Sequence, residues 1–349
     1  IRDLDSSLVG SEMCIRDSPE TALWRVTESP VDQLIDRVID GQAVSARAGH
    51  ALINTGFITL DKALSGGMHV GDLTIVGGLP GSGKTIATLQ WARNMAIAGN
   101  EVLYLCYEHD VATLLGRLMA LEIGHLETHL EADDARSVSD ALSYTMNGAG
   151  NPDSRVLQHP VARAALAQID TYADRLVLSQ APNHCDLSVI ESKVREGDYD
   201  VVVVDYLQKV PSPRGLTGID RYSQTVEGLK NLALAAECLV VAVSAVDSGA
   251  LSERRLKLDG LRGAHALAHE ADVVMTLNAK LSVVSKAHLA FDSTLYDEFS
   301  RYVVFTIEKN RRGMAPLTVE FEKDFAFFRF QPKGRFVAEK LIDDLIVTE

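Results

Sequence analysis

The sequence predicts an α/β fold with a mainly parallel central sheet flanked by helices. Three observations predict it. Short β-branched runs such as Val201–Val204 and Leu239–Val243 have the length of strands buried on both faces. A glycine-rich turn joins one such run to a helical stretch. The 349 residues are 46% hydrophobic and 23% charged, an ordinary globular balance that excludes disordered, collagenous and disulfide-scaffold chains. The length allows two or three ordinary domains, or one large α/β domain with an appendage. No uncharged apolar stretch reaches the ~18 residues of a membrane span, so no membrane association is expected.

Lys plus Arg total 34 against 48 Asp plus Glu, a formal charge of −14. Such a chain is no general polyanion binder. Any nucleic-acid contact must come from a local basic loop, or from loops gathered in an oligomer. Cys14, Cys106, Cys185 and Cys238 are far apart and form no CxxC pair. They fit a reducing cytoplasm and predict no zinc site.

Taken in order, residues 1–18 are read as a non-native segment, because SEMCIRDS at 11–18 resembles translated sequencing-adapter sequence. Residues 19–49 form a linker region with a helix expected over Val31–Asp40, which places Val31, Leu34, Ile35 and Val38 on one face. That helix either packs on its own core or is donated to a neighbouring subunit. The main α/β domain is expected over residues 50–332. The tail, 333–349, is expected to be a docking helix with Val337, Leu341, Ile342 and Leu345 on one face.

The strand Leu73–Val76 runs into Gly77-Gly78-Leu79-Pro80-Gly81-Ser82-Gly83-Lys84-Thr85 and then a helix over Ile86–Ala98. Gly78, Gly81 and Gly83 permit backbone angles that a Cβ forbids. The loop N–H groups can then converge on phosphate oxygens, aided by the helix N-terminus behind them. Leu79, Pro80 and Ser82 complete the cradle. Lys84 is expected on the β and γ phosphates of ATP, and the Thr85 hydroxyl on Mg²⁺.

Two further strand ends point to hydrolysis. The run Tyr199–Val204 ends in Asp205, at the carboxyl edge where open α/β sheets place ligand groups, and this carboxylate is expected to hold Mg²⁺ through water. The strand Glu101–Tyr107 ends in Glu108, the candidate base for the attacking water, with His109 and Asp110 as adjoining rivals. A right-handed crossover is expected to set this strand directly beside the phosphate-loop strand.

These residues resemble the RecA-type ATPases of the DnaB-like replicative helicase group. The resemblance rests on Thr55-Gly56-Phe57, Leu60-Asp61, Leu64, Gly66-Gly67 and Gly71-Asp72-Leu73, on the phosphate loop, and on Asp205-Tyr206-Leu207-Gln208. It covers roughly residues 50–330 and implies a RecA-like core. Ala271–Met275 resembles the next core strand. Arg117, nine residues beyond Glu108, looks like the family's nucleotide-contacting arginine. Lys309-Asn310-Arg311-Arg312-Gly313 looks like its K-x-R-x-G element. The resemblance implies that Lys309 and Arg311 reach a neighbour's γ-phosphate, with Arg312 a rival for that role. It also implies a homo-oligomer, usually a hexameric ring, with ATP between protomers, single-stranded DNA as a partner, and replication or recombination proteins nearby.

The chain departs from that pattern in three places. Ser244-Ala245-Val246 stands where the family usually has Ser-Gln-Leu, so a γ-phosphate sensor is missing. Gly260-Leu261-Arg262-Gly263 leans toward RadA- and KaiC-like ATPases acting in recombination or regulation. Neither the large N-terminal domain of replicative helicases nor the zinc module of the RadA group is visible.

Two loops are expected to line a pore. Lys209–Tyr222 carries Lys209, Arg214 and Arg221 against Asp220; Asp247–Arg262 carries Arg254, Arg255, Lys257 and Arg262 against Asp247, Glu253 and Asp259. Neither has aromatic interleaving, so contacts through Arg214, Arg254, Arg255 and Lys257 are expected on phosphates, without sequence preference. His265 and His269 share a helical face but lack the HExxH order and are read as structural. The acidic stretch 131–174 is read as two helices around an exposed loop. Strands are expected over Tyr302–Glu308, Leu317–Phe321 and Ala326–Phe330.

Overall fold

A computed structural model describes residues 52–126, 160–182, 184–212, 219–285 and 294–342. The expected Val31–Asp40 helix, the acidic stretch as far as residue 159, and Arg214 lie outside those residues.

The chain opens with β1 (Leu52–Ile53), α1 (Ile58–Ala63) and β2 (Met68–His69), the two strands pairing antiparallel. Then follow β3 (Leu73–Gly78), α2 (Lys84–Ile97), β4 (Val102–Cys106), α3 (Val111–His125), α4 (Pro160–Asp170), β5 (Leu176–Gln180), α5 (Leu187–Gly197) and β6 (Val201–Asp205). The remainder is α6 (Ile219–Ala235), β7 (Leu239–Ser244), α7 (Ala264–Glu270), β8 (Val273–Ala279), α8 (Lys280–Val283), α9 (Thr294–Ser300), β9 (Tyr302–Asn310), β10 (Leu317–Asp324), β11 (Arg329–Phe330) and β12 (Arg335–Phe336). The main sheet runs β11-β10-β9-β8-β3-β7-β6-β4-β5, with β12 also on β10. Strands β3 to β8 pair in parallel, and β9 to β12 extend the sheet antiparallel.

Alternation along the strands divides the core into two layers. Val102, Tyr104 and Cys106 of β4, with Val201 and Val203 of β6, pack on the α2 side beside Trp91, Ala92 and Met95. Leu103, Leu105, Val202 and Val204 pack on the opposite layer, with Ile190 of α5 and Leu229 of α6. Every residue of β3, β4, β6 and β7 is buried. This is why those strands read as unbroken apolar runs.

Four expectations change. β4 does not lie beside β3; β7 and β6 stand between them. The crossover through α2 passes over the positions that β7 and β6, which come later in the chain, fill. The expected strand over Ala326–Phe330 is reduced to Arg329–Phe330. Phe325–Phe327 form a 3-10 turn, and Phe328 takes the left-handed region at φ 47°. The tail helix is not formed within the described residues. Instead Arg335–Phe336 pair with Val319–Glu320, Val337 N–H donates to Thr318 O, and Leu341 bridges to Val284. The edge strand offers unpaired backbone groups, and an extended strap satisfies them while burying Leu341 beside Val283 and Phe299. Residues 343–347 of that expected helix lie outside the described residues. The first basic loop also ends earlier than expected, since α6 begins at Ile219.

Candidate functional site

The phosphate loop connects β3 to α2 at the carboxyl edge of the parallel strands. Gly81 and Gly83 hold φ of +77° and +93°, in the left-handed region. A Cβ at Gly83 would stand 2.7 Å from the rings of both Phe325 and Phe330, so position 83 is closed to a side chain twice over. Lys84 Nζ folds back on the loop, donating to Gly78 O at 2.8 Å and Leu79 O at 3.1 Å. Burial pulls its pKa below the ordinary lysine value, and the Asp205 and Glu108 carboxylates oppose that shift.

The loop borders a cavity of about 550 Å³. Gly78, Pro80, Gly81, Gly83, Lys84, Thr85, Glu108, Arg117 and Asp205 all line it. His109 and Ala245 line it too, as do Phe325 and Phe328, which nothing in the sequence placed at a nucleotide. Leu79 and Ser82 do not line it. The Leu79 side chain packs on the core, and Ser82 Oγ is buried with no hydrogen-bond partner among the described residues. Arg117 of α3 lies with its guanidinium carbon 5.3 Å from the Phe328 ring centre, a cation–π contact at the cavity wall.

Asp205 is 1% exposed, and its Oδ2 accepts from Thr85 Oγ1 at 2.7 Å and Tyr104 Oη at 3.0 Å. Burial raises its pKa above the ordinary aspartate value; the two hydroxyls work against this, while Glu108 reinforces it. His109 is pulled below the ordinary histidine value by burial and by Arg117. At neutral pH it is therefore an uncharged neighbour of Glu108. A hydroxyl and a carboxylate 2.7 Å apart at the loop's edge form an oxygen donor pair that fits Mg²⁺.

Lys309 and Arg311 are not brought to this cavity. They close β9 beside the first residues of β8, whereas Gly78 of β3 pairs with Leu277 further along that strand. The rise per strand residue separates the two ends by roughly 15 Å. Lys309 Nζ donates to Ala268 O at 2.6 Å, and Arg311 to Asp272 Oδ1 at 3.2 Å and to His269 O. Arg312 makes a two-pronged pair with buried Asp72, both contacts at 2.9 Å.

The second basic loop is folded into two 3-10 turns, Ser248–Ser252 and Leu258–Gly260. Arg254 reaches Ser282 O at 3.5 Å and Arg255 reaches Ile342 O at 2.8 Å, so both hold the chain's own backbone. Lys257 is half-buried near the Glu308 carboxylate. In the first loop, Arg221 donates to Gln208 O and Val210 O at 3.3 Å each. His265 and His269 lie 4.6 Å apart, ring centre to ring centre.

Gln208 is a second residue whose role is visible only in three dimensions. Its Nε2 donates to Ser244 Oγ at 2.9 Å and Arg262 O at 3.1 Å, and its Oε1 accepts from Ala245 N–H at 2.9 Å. The ends of β6 and β7 and the Arg262 turn are thereby tied together beside the cavity. Tyr104 carried a readable signal, being the one hydroxyl in an otherwise apolar strand, where a buried phenol needs a partner. Phe325 and Phe328 carried none, because their placement depends on the turn that replaces the expected strand.

A glycine-rich loop between a central strand and a helix, with a carboxylate at the end of a strand two positions away in the sheet, defines a P-loop nucleotide-binding α/β domain. The chain belongs to the DnaB-like helicase C terminal domain family, which it matches over residues 53–331. It is 27% identical over 286 residues to the replicative DNA helicase DnaB of Treponema pallidum, covering 81% of this chain and 56% of that one. It is likewise 27% identical over 233 residues to DnaB of Leifsonia xyli, covering 65% and 46%. A shorter match, 37% over 86 residues, joins it to the DNA repair protein RadA of Chlamydia muridarum, covering 23% and 19%. The chain thus spans about half the length of the DnaB relatives it matches. Among solved structures, one ATPase domain aligns with a TM-score of 0.66 at 19% identity, covering 87% of this chain and 99% of that one. A DnaB-like replicative helicase, described with its interactions with primase, aligns at 0.63 and 19%, covering 87% and 67%. Both share the fold. Among the described residues no helix is long and apolar enough to cross a membrane.

Proposed function

We propose that this chain is the motor portion of a cytoplasmic, ring-forming, DNA-dependent ATPase of the helicase type, with each ATP site shared between adjacent copies. The observation that carries the reading is a division of labour across the sheet. Lys84, Thr85, Asp205, Glu108 and Arg117 surround one cavity, while Lys309 and Arg311 lie at the far end of the strands. A single copy cannot supply both groups to one phosphate, whereas head-to-tail packing of copies can.

In this reading the loop N–H groups and Lys84 hold the β and γ phosphates. Thr85 and Asp205 hold Mg²⁺, which supplies charge neutralisation on the phosphates when bound. Glu108 takes the proton of the attacking water. Arg117 and Phe328 contact the nucleotide from the cavity wall. Arg311 of the neighbouring copy offsets charge developing on the γ-phosphoryl oxygens, with Lys309 beside it. Arg311 is favoured over Arg312 because the latter is already committed to Asp72 in a two-pronged pair. Lys257 and Arg214 remain the candidates for DNA phosphates; Arg254 and Arg255 would first have to leave their backbone partners.

Lys84→Ala is expected to abolish ATP hydrolysis; turnover near the wild-type rate would contradict the assignment. Hydrolysis by the wild type is expected to rise with single-stranded DNA, and a forked duplex is expected to be unwound. Stimulation without strand displacement would favour the recombination-type activity that the RadA match suggests.

A further inference from the structure

Tyr104 touches neither the cavity nor the chain's surface, yet its hydroxyl ends on the site's buried carboxylate. It stands mid-strand in β4, 0% exposed, opposite Val203 of the parallel neighbour β6. Its four strand-mates Val102, Leu103, Leu105 and Cys106 are apolar and buried. A phenol in such a strand costs stability unless its hydroxyl is paired. Here the Oη donates to Asp205 Oδ2 at 3.0 Å and shares a 3.0 Å hydrogen bond with Thr88 Oγ1 of α2. Thr85 Oγ1 ends on the same carboxylate oxygen at 2.7 Å. Asp205 Oδ1 accepts from no side chain among the described residues. Thr85 is itself a proposed metal ligand, so its bond to Asp205 changes with metal occupancy. The bond from Tyr104, made from behind the carboxylate, is independent of what enters the cavity.

We propose that Tyr104, braced by Thr88, is a positioning residue for the divalent cation: it fixes Oδ2 of Asp205 and thereby leaves Oδ1 facing the metal's bound water. The proposal rests on the reading of Thr85 and Asp205 as the Mg²⁺ pair. Outer partners that orient a ligand typically change metal affinity by about tenfold or more when lost.

The test uses the full chain and Mn²⁺ as a spectroscopic substitute for Mg²⁺. Free Mn²⁺ is followed by electron paramagnetic resonance with protein in excess over ADP, so that the nucleotide is protein-bound and no turnover is needed. Tyr104→Phe keeps the ring and removes the hydroxyl. The half-saturating Mn²⁺ concentration is expected to rise about tenfold, with ADP affinity in chelator unchanged and turnover at saturating Mg²⁺ close to wild type. Thr88→Val, which removes the brace, is expected to give a smaller rise. The double variant should exceed Tyr104→Phe by little, because the two hydroxyls act through one bond. A lower thermal midpoint with unmoved Mn²⁺ half-saturation would assign Tyr104 a purely structural role and overturn the proposal. If Tyr104→Phe fails to fold, Thr88→Val decides alone, and no shift counts against it. Should wild-type protein with ADP bind no Mn²⁺, the metal reading of Thr85 and Asp205 falls first, and this proposal falls with it.

Discussion

A buried aspartate is the most expensive residue at this site. Asp205 is 1% exposed, and burial raises its pKa despite two hydroxyls donating to Oδ2. A carboxyl with a raised folded-state pKa is stabilised in its protonated form. Its charged form therefore weakens the nucleotide-free fold at neutral pH, and the penalty disappears as pH falls through that raised pKa. Asp205→Asn is expected to raise the thermal midpoint at neutral pH, by about 3 °C for each ~1 kcal/mol recovered. The gap from wild type should narrow in acid, and hydrolysis should be lost. Calorimetry across pH checks this; an Asn variant less stable at neutral pH would contradict it. Lys84 is subject to the same penalty with the sign reversed: burial lowers its pKa, and the Asp205 and Glu108 carboxylates oppose that shift while Nζ donates to two loop carbonyls.

At the scale of elements, the loop between β3 and α2 is held by aromatic residues from the far end of the chain. Phe325 and Phe330 fill the space above Gly83, so the loop's shape depends on β10 and β11 as much as on its own glycines. Gly83→Ala is expected to cost about 2 kcal/mol, from the left-handed backbone angle and the ring clash together. Nucleotide affinity should fall with it, as read by urea unfolding and nucleotide titration. The tail strap has a comparable pin. Lys280 is fully buried between Glu320 and Glu339, at 2.7 and 2.8 Å. Lys280→Ala would take the ammonium from both carboxylates, leaving Glu320 with Arg335 alone, and is expected to destabilise the protein by about 3 kcal/mol. Proteolysis after Arg335 should accelerate in that variant.

These elements also mark what the sequence can and cannot convey. The parallel strands were legible because burial on both faces forces continuous apolar runs, and the phosphate loop because its spacing answers a single geometric demand. Strand order was not legible from β4, since its crossover passes over two strands that occur later in the chain. As far as Ile342 the tail is a strap and not the expected helix, because Val337 and Leu341 suit a helical stripe and an extended strap equally well. What separates the two is an unpaired sheet edge, which only the fold supplies. Tyr104 and Gln208 act through partners 101 and 37 positions away, at Asp205 and Ala245. No local pattern reports such pairings.

At the scale of the whole molecule, the proposed shared site rests on the distance along the sheet between the Lys84 loop and Arg311. Arg311 is 45% exposed; its guanidinium pairs with Asp272 at 3.2 Å and donates to His269 O, and in the proposed ring it exchanges these contacts for a neighbour's phosphate. The most direct measurement mixes two inactive variants, Arg311→Ala and Glu108→Gln, and follows ATP hydrolysis across mixing ratios. Each interface pairing an intact Glu108 with an intact Arg311 should turn over, so an equal random mixture should recover about a quarter of wild-type activity. Mixtures that stay inactive at every ratio, although the two variants co-assemble, would contradict the shared site.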